Sequence, residues 1–254
     1  LFPVHSEDDK DPEGHLGLRD DGPMMTALKA LREDHGDGIV LMADVCMCTV
    51  TDHGHCGHVH EGTILNDRTV TTLADMAVVA ANAGADYVGA SDMMDGRVQA
   101  IRSALEEAGH HGTGVLSYAV KFASAFYGPF RDAAGSSPRE GDRRSHQMDP
   151  RSPVKEAVME AQLDEAEGAD VLMVKPALAY LDVVAAVQAT THRPVAVYNV
   201  SGEYAMVHAQ HPEADERRAV VAEIMHAFRR AGADVIVTYH AREIVAGGWL
   251  GVEA

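Results

Sequence analysis

Short apolar runs alternate with amphipathic stretches along this chain. Each run is bounded by Gly or Asp, and it is followed by a stretch whose apolar residues recur at helical spacing. Continuous apolar runs indicate strands buried on both faces, as in a parallel sheet that helices cover. The predicted strands are residues 39–45, 87–90, 114–120, 171–174, 195–200 and 235–239, and the clearest predicted helices are 72–83, 98–108, 153–167 and 219–231.

A repeated tripeptide marks the boundary between helix and strand. Gly-Ala-Asp occurs at residues 84–86, 168–170 and 232–234, each time directly before a predicted strand. Glycine is the usual residue after the last helical position, because it adopts the left-handed conformation without steric cost. The repeat therefore predicts successive units of strand and helix.

Polar side chains gather just past the ends of the predicted strands. Functional residues at the ends of many strands are typical of a (β/α)8 barrel. An open sheet instead has its ligand-binding residues at one topological switch point. We therefore predict an α/β fold, a (β/α)8 TIM barrel formed by residues 1–254 as a single domain. Only six units are complete and residues 1–4 resemble the end of another strand, so we expect a barrel truncated at its N-terminus. The strand-end residues are Asp44, Ser91, Lys121, Lys175, Tyr198, Ser201 and Tyr239.

Residues 126–152 form the longest stretch without a strong helical or strand pattern. The stretch is rich in Gly, Ser, Pro and Arg, and it is longer than an ordinary connector. We predict an active-site lid, in which Arg131, Arg143 and Arg144 could bind a carboxylate through their guanidinium groups. A solvated charged loop is the alternative.

Charge and composition narrow the classes of partner. The chain has 39 acidic and 21 basic residues and a formal net charge of −18, which disfavours binding to nucleic acid and to anionic membranes. It contains neither an apolar run long enough for a membrane span nor a recognisable signal peptide. We therefore expect a cytoplasmic protein that acts on a small molecule.

Three cysteines, Cys46, Cys48 and Cys56, fall within eleven residues in the spacing C-x-C-x7-C. This spacing differs from the paired C-x2-C knuckles of structural zinc sites, and no fourth cysteine exists. We predict a zinc site with three thiolate ligands and one open, reactive position. Buried cysteines without a metal are one alternative. The other is a closed site completed by a nearby histidine, for which the candidates are His53, His55, His58 and His60.

Two lysines stand at strand ends. Lys175 follows four apolar residues, and burial there would lower the pKa of the ammonium group and yield a nucleophilic amine suited to Schiff-base formation. A lysine that extends to solvent at the barrel rim is the alternative. Lys121 occupies the equivalent position on another strand, so two ammonium groups at one barrel mouth would lower each other's pKa. Ser201 and Tyr239 offer hydroxyls that could bind a carboxylate.

These motifs resemble the porphobilinogen synthase family, also called 5-aminolevulinate dehydratase, over essentially the whole chain. The resemblance implies that two molecules of 5-aminolevulinate condense to porphobilinogen, with loss of two waters, in the synthesis of haem and other tetrapyrroles. The three cysteines resemble the zinc-dependent class of the family. The matching segments, in the family's order, are residues 44–57, 91–97, 117–131, 141–147, 173–176, 198–204 and 238–239.

The resemblance also implies roles for single residues. Lys175 would form the Schiff base with the substrate that becomes the propionate side of the product. Ser201 and Tyr239 would hold the carboxylate of that substrate, with Tyr198 near the ring. Lys121 would serve the acetate-side substrate. The residues that the resemblance places around this second substrate are Arg131, Arg143 and Gln147 on its carboxylate, with Ser91 and Asp44 nearby.

Cofactors and assembly follow from the same resemblance. Zinc on the three cysteines would act as a Lewis acid. Glu160 matches a position that binds an allosteric magnesium ion (Mg2+) at a subunit interface. A homo-octamer is expected for the full-length protein, whose N-terminal arm and first one or two strands this chain would lack. A class I aldolase with one Schiff-base lysine and an inactive zinc-binding remnant of a synthase are the alternative functions.

Overall fold

A parallel sheet of six strands, which follow one another in chain order, is the centre of the fold. The computed structural model describes residues 1–136 and 142–251. The sheet consists of β1 (Met42–Val45), β4 (Tyr87–Ala90), β5 (Gly114–Lys121), β6 (Val171–Lys175), β7 (Val195–Asn199) and β8 (Val235–Thr238), and a separate antiparallel pair consists of β2 (Val59–His60) and β3 (Thr63–Ile64). The helices in the described residues are α1 (Pro23–His35), α2 (Asn66–Asn82), α3 (Arg97–Glu107), α4 (Gly128–Ala134), α5 (Val154–Ala166), α6 (Leu181–Thr190), α7 (Ser201–Gln210), α8 (Ala214–Ala231) and α9 (Ala241–Gly247).

The predicted α/β fold is confirmed. Each of the six predicted strands is present, and the four clearest predicted helices correspond to α2, α3, α5 and α8. The boundaries differ at several ends. α2, for example, begins at Asn66 rather than at residue 72. None of the helices in the described part of the chain combines the length and hydropathy that a membrane span requires.

The sheet curls but does not close. Met42 of β1 and Val237 of β8 lie on opposite edges of the sheet, yet they line one pocket together with Tyr118 and Met173. The strands therefore bend around a common concave side as a half-barrel. Within the described residues β1 does not pair with β8, so the structure shows an open half-barrel and not a closed (β/α)8 barrel.

The first residue of the chain lies along the free edge of β1. The Leu1 nitrogen donates to the Met42 carbonyl at 2.5 Å, and the Asp44 amide donates to the Leu1 carbonyl at 3.0 Å. These two bonds have the pattern of a parallel ladder. The backbone at Leu1 thus extends the hydrogen bonding of the sheet beyond β1, while the expected truncation stays a prediction.

Side chains alternate between two apolar layers, and this alternation positions the chemistry. In β6, Leu172 and Val174 pack in the larger core beneath the helices, whereas Val171 and Met173 pack in the smaller cluster on the concave side. Because strand side chains alternate in direction, Lys175 continues the concave row. The end of β6 therefore delivers its lysine to the inside of the half-barrel.

The Gly-Ala-Asp repeat has the predicted role at helix ends and a second role in the sheet. Gly84, Gly168 and Gly232 have φ values of +101°, +104° and +109°. The aspartate of each repeat directly precedes one strand. Its side chain accepts a hydrogen bond from a backbone amide at or next to the start of the neighbouring strand. The donors are Leu41 N to Asp86 at 2.7 Å, Val115 N to Asp170 at 2.8 Å and Val195 N to Asp234 at 3.0 Å.

The predicted lid contains regular structure. Helix α4 (Gly128–Ala134) lies within residues 126–152, although the sequence there has no strong helical pattern. The helix packs against α7, and the Phe130 amide donates to the Ser201 hydroxyl at 3.0 Å. Residues 137–141 of the predicted lid lie outside the described residues. The function of the segment as a lid stays a prediction.

Candidate active site

The two predicted lysines lie side by side at the ends of neighbouring strands. Lys121 of β5 is the register partner of Lys175 of β6, and both side chains line the same cavity. The register between β5 and β6 shifts between Ser117 and Val120, which indicates a β-bulge. The bulge turns Lys121 towards the concave side, where Lys175 already points.

Aromatic rings surround the Lys175 ammonium. Its Nζ atom lies 4.1 Å from the centroid of the Tyr198 ring, and the rings of Tyr118, Tyr127 and Phe130 lie 5.1 to 5.6 Å away. Burial, followed by repulsion from the charge of Lys121, lowers the pKa of Lys175 from 10.5 to about 7. About half of the Lys175 side chains are therefore neutral and nucleophilic near pH 7.

Lys121 and Asp44 form the polar side of this cavity. The Lys121 ammonium donates to the backbone carbonyl of Ser91. Asp44, at β1, is buried, and its Oδ1 atom has no hydrogen-bond partner in the described part of the chain. Burial raises the pKa of Asp44, although Ser91 and the two lysines oppose this effect. The carboxyl group of Asp44 thus has a free acceptor atom where a substrate could bind.

Two guanidinium groups line the same cavity. Arg143 donates to the carbonyls of Gly54, at 2.9 Å, and of Ser136. Arg131 stacks over the Tyr127 ring, with Cζ 5.4 Å from the centroid, and its buried Nε atom has no hydrogen-bond partner among the described residues. Burial and the neighbouring Arg143 charge lower the pKa of Arg131. An anion such as a carboxylate would relieve this repulsion.

The three cysteines are reduced, buried and close together. Their sulfur atoms all lie within 4.8 Å of one another, and the Sγ atoms of Cys46 and Cys48 are 3.3 Å apart. A tetrahedral zinc ion with Zn–S bonds of about 2.3 Å needs sulfur atoms about 3.8 Å apart, so the cluster fits such an ion. Hydrogen bonds from Cys46 and Cys48 hold the pKa of Cys56 well below its usual range, which favours a thiolate.

The histidines near the cysteine loop are the predicted alternatives for a fourth ligand. His58 contacts Glu13 and Thr72, at 3.3 and 2.8 Å, and His60 is exposed. In the described residues, the group of ligand atoms within 4.8 Å of one another contains the three thiols alone. His146, which was not among the predicted candidates, is one of the groups that lower the pKa of Cys56. This arrangement favours the predicted open position.

The predicted hydroxyl groups lie at the ends of β7 and β8. The Tyr198 hydroxyl donates to that of Tyr239 at 3.5 Å, and Tyr239 is 40% exposed. The Ser201 hydroxyl is the acceptor for the Phe130 amide and donates to the Phe126 carbonyl at 3.4 Å. Ser201 therefore fixes the start of the predicted lid in this structure, and the buried Tyr198 hydrogen-bonds to the exposed Tyr239.

Two of the predicted site residues line a different cavity from the lysines. Gln147 and Glu160 line a separate cavity together with Glu156 and Asp164. The Gln147 side chain is buried, and both of its polar atoms lack a hydrogen-bond partner in the residues that the structure describes. Burial, and then the charge of Asp164, raises the pKa of Glu160.

Apart from Tyr198, the aromatic residues around the lysines were not predicted. Tyr118 lies three residues before Lys121, and strand periodicity alone places these two side chains on opposite faces. Tyr127 donates from its hydroxyl to the Lys175 carbonyl at 3.1 Å. The Phe2 ring lies 5.5 Å from that of Phe130 and also lines the cavity. No local sequence signal identifies Phe2, because the chain reaches the site only through tertiary packing.

Comparisons with known proteins agree with this geometry. A model of the delta-aminolevulinic acid dehydratase family matches residues 1–247. The delta-aminolevulinic acid dehydratase of Mycobacterium tuberculosis (strain H37Rv) is 50% identical over 253 residues, which cover 98% of this chain and 75% of that protein. The enzyme of the same name from Synechococcus elongatus is 48% identical over 256 residues, covering 98% and 76%. A crystal structure of porphobilinogen synthase from Toxoplasma gondii ME49, in complex with the reaction product porphobilinogen, superposes with a TM-score of 0.93 at 45% identity, covering 98% of this chain and 71% of that one.

Proposed function

We propose that this chain, which belongs to the delta-aminolevulinic acid dehydratase family, is a porphobilinogen synthase of tetrapyrrole biosynthesis. The reaction joins two molecules of 5-aminolevulinate and releases two waters to form porphobilinogen. Relatives of this name are 48 to 50% identical to the chain, and a similar structure contains the product.

The observation that carries the proposal is the pair of lysines in one cavity. Two ketone substrates require two amines, and Lys121 and Lys175 are register partners with buried side chains. A class I aldolase needs only one such lysine, so it explains less of this site. An inactive remnant has no reason to keep both lysines beside two cavity-lining guanidinium groups.

Lys175 is the group best suited to begin the chemistry. Its neutral amine attacks the ketone of the first substrate, and the carbonyl oxygen leaves as water when the Schiff base forms. The rings of Tyr198 and Tyr118 exclude solvent from this bond. We propose that Lys121 forms the corresponding bond to the second substrate. Its position beside Lys175 supports this role, because both substrates then react within one cavity.

The two carboxylates are proposed to bind in different places. Arg131 and Arg143 line the cavity that Lys121 also lines, and they would hold the carboxylate of the second substrate by charge-assisted hydrogen bonds. Tyr239, with its exposed hydroxyl, and Ser201 would hold that of the first. To donate to that carboxylate, the Ser201 hydroxyl would have to give up the hydrogen bond that it donates to the Phe126 carbonyl. This exchange would couple substrate binding to residues 126–152 as a lid.

We propose zinc as the metal of the cysteine cluster. Cys46, Cys48 and Cys56 would hold it, and the ion would supply Lewis acidity and a bound water beside the second substrate. Cys48 lines the cavity with the lysines, which supports a position next to the reaction. A magnesium ion near Glu160 is also proposed. The support is its cavity, which contains the further carboxylates of Glu156, Asp164 and Glu167.

Three further features belong to the proposal. The curled parallel sheet and the backbone ladder at Leu1 support a (β/α)8 barrel architecture. A homo-octamer is proposed from the family resemblance. The three free cysteines support a reducing, cytoplasmic location.

The test is to trap the Schiff base and to measure product formation. Incubation with 5-aminolevulinate and borohydride should attach one substrate-derived group to Lys175, identified by mass spectrometry of the peptide. Lys175→Met should abolish both the adduct and the formation of porphobilinogen. Lys155→Met, which changes an exposed lysine on α5, is the matched control and should retain both. Absence of an adduct at Lys175 in the wild-type protein would overturn the proposal.

A further inference from the structure

A cluster of two histidines and one glutamate lies outside the cysteine site. His208 lies on α7 and Glu243 lies on α9. His240 is the second residue after β8 and directly precedes α9. One ligand atom from each of the three residues lies within 4.8 Å of the other two. Imidazole nitrogen and carboxylate oxygen are the ligands that zinc and other divalent transition metals accept.

The distances in this cluster match a coordination polyhedron. The Glu243 Oε2 atom lies 3.3 Å from His240 Nδ1 and 3.7 Å from His208 Nε2. A tetrahedral ion with bonds of 2.0 to 2.1 Å places neighbouring ligand atoms about 3.3 Å apart. The two distances from Glu243 Oε2 are therefore close to this spacing, and the nitrogens of His208 and His240 lie within 4.8 Å of each other.

The surroundings keep these ligands oriented and available. Arg217 donates to Oε1 of Glu243 at 2.5 Å. The other carboxylate oxygen, Oε2, faces His208 and His240. The rings of His208 and His240 are nearly parallel, at 10°, and Tyr204 packs against both.

One ligand nitrogen lacks a hydrogen-bond partner, and the cluster is accessible from solvent. His208 Nε2 is buried without a partner in the described ranges, whereas His240 Nδ1 is hydrogen-bonded to Glu243 Oε2 at 3.3 Å. His240 is fully buried, whereas the side chains of His208 and Glu243 are each 28% exposed. An ion could therefore enter between the two exposed ligands and bind against the buried one.

We infer that His208, His240 and Glu243 form a second site for a divalent transition-metal ion, separate from the three-cysteine site. A bound ion would link α7 to the turn between β8 and α9. The first residue of α7 is Ser201, and the residue before His240 is Tyr239. The ion would thus tie together the two elements that carry these hydroxyl groups. This inference does not depend on the proposed synthase activity.

The experiment counts zinc ions in the full chain. Protein is stripped with a chelator, incubated with a small excess of zinc, separated by gel filtration and analysed by elemental mass spectrometry. We expect two ions per wild-type chain and one ion in the triple variant C46S/C48S/C56S. X-ray absorption of zinc in that variant should show only nitrogen and oxygen ligands. Each of H208Q and H240Q should lose one ion relative to wild type. H226Q, which changes an exposed histidine of α8, is the control and should bind two.

Several results would overturn the inference. These are one ion per wild-type chain, a triple-cysteine variant without zinc, or two ions in folded H208Q. Because His208 is on the helix surface, H208Q tests the site even if H240Q does not fold. The count does not require turnover, so failure of this inference is distinguishable from failure of the proposed synthase function.

Discussion

Replacing Lys121 with methionine should raise the pKa of Lys175 and move Schiff-base formation at Lys175 to higher pH. The two ammonium groups are register partners on neighbouring strands, and repulsion from Lys121 is the second cause, after burial, of the low pKa of Lys175. Methionine keeps the length and apolar stem of the lysine and removes its charge. The change therefore isolates the electrostatic contribution.

The expected size follows from Coulomb's law. Two unit charges about 5 Å apart interact by about 3 kcal/mol at an effective dielectric constant of about 20. This energy corresponds to roughly two pH units at about 1.4 kcal/mol each. Burial remains in the variant, so the pKa should rise from about 7 by about one to two pH units and stay below the ordinary value of 10.5. At pH 7 a lysine with a pKa of 10.5 would be only about 0.03% neutral, against about half for Lys175.

The assay measures the initial rate of borohydride trapping of 5-aminolevulinate at Lys175 across a pH series. The wild-type midpoint should lie near pH 7. The midpoint of the Lys121→Met variant should lie about one to two pH units higher. Lys155→Met removes an exposed charge on α5 and should leave the midpoint in place. An unchanged midpoint in Lys121→Met, or a wild-type midpoint near 10, would refute the argument.

Three further outcomes are expected. The pKa of Lys175 is about 7 in the folded protein and 10.5 ordinarily, so the unfolded chain binds more protons between these pH values and stability rises with pH in that window. Below pH 7, Lys175→Met should therefore be more stable than wild type by up to about 5 kcal/mol in urea unfolding, and this difference should shrink towards pH 10.5. A difference in stability that does not depend on pH would contradict this expectation. Arg131→Ala should raise KM for 5-aminolevulinate by about 10- to 100-fold, the effect of losing a charge-assisted hydrogen bond, and Arg144→Ala, which changes an exposed arginine, should not. A Cβ atom at Gly202 would approach the Phe126 carbonyl oxygen at 2.5 Å, so Gly202→Ala should displace residues 126–130 and speed proteolysis there; equal proteolysis rates would count against this contact.

The reacting groups were predictable because their signals are local. A lysine after four apolar residues, or three cysteines in a short loop, can be found without knowing which strands pair. Positions that depend on the packing of distant segments were less predictable. Gln147 and Glu160 line a different cavity from the lysines. The aromatic lining of the lysine cavity includes Phe2, which no sequence pattern identifies.

The sequence by itself determined the order of strands and helices and the polar residues at the strand ends, since hydrophobic period and helix-ending glycines act over a few residues. Only the tertiary structure decided which of those residues meet. The bulge between Ser117 and Val120 places Tyr118 and Lys121 on one face, against strand periodicity. Likewise, His208 and His240 meet through the packing of α7 against the end of β8. Such contacts depend on long-range packing, which a local pattern does not encode.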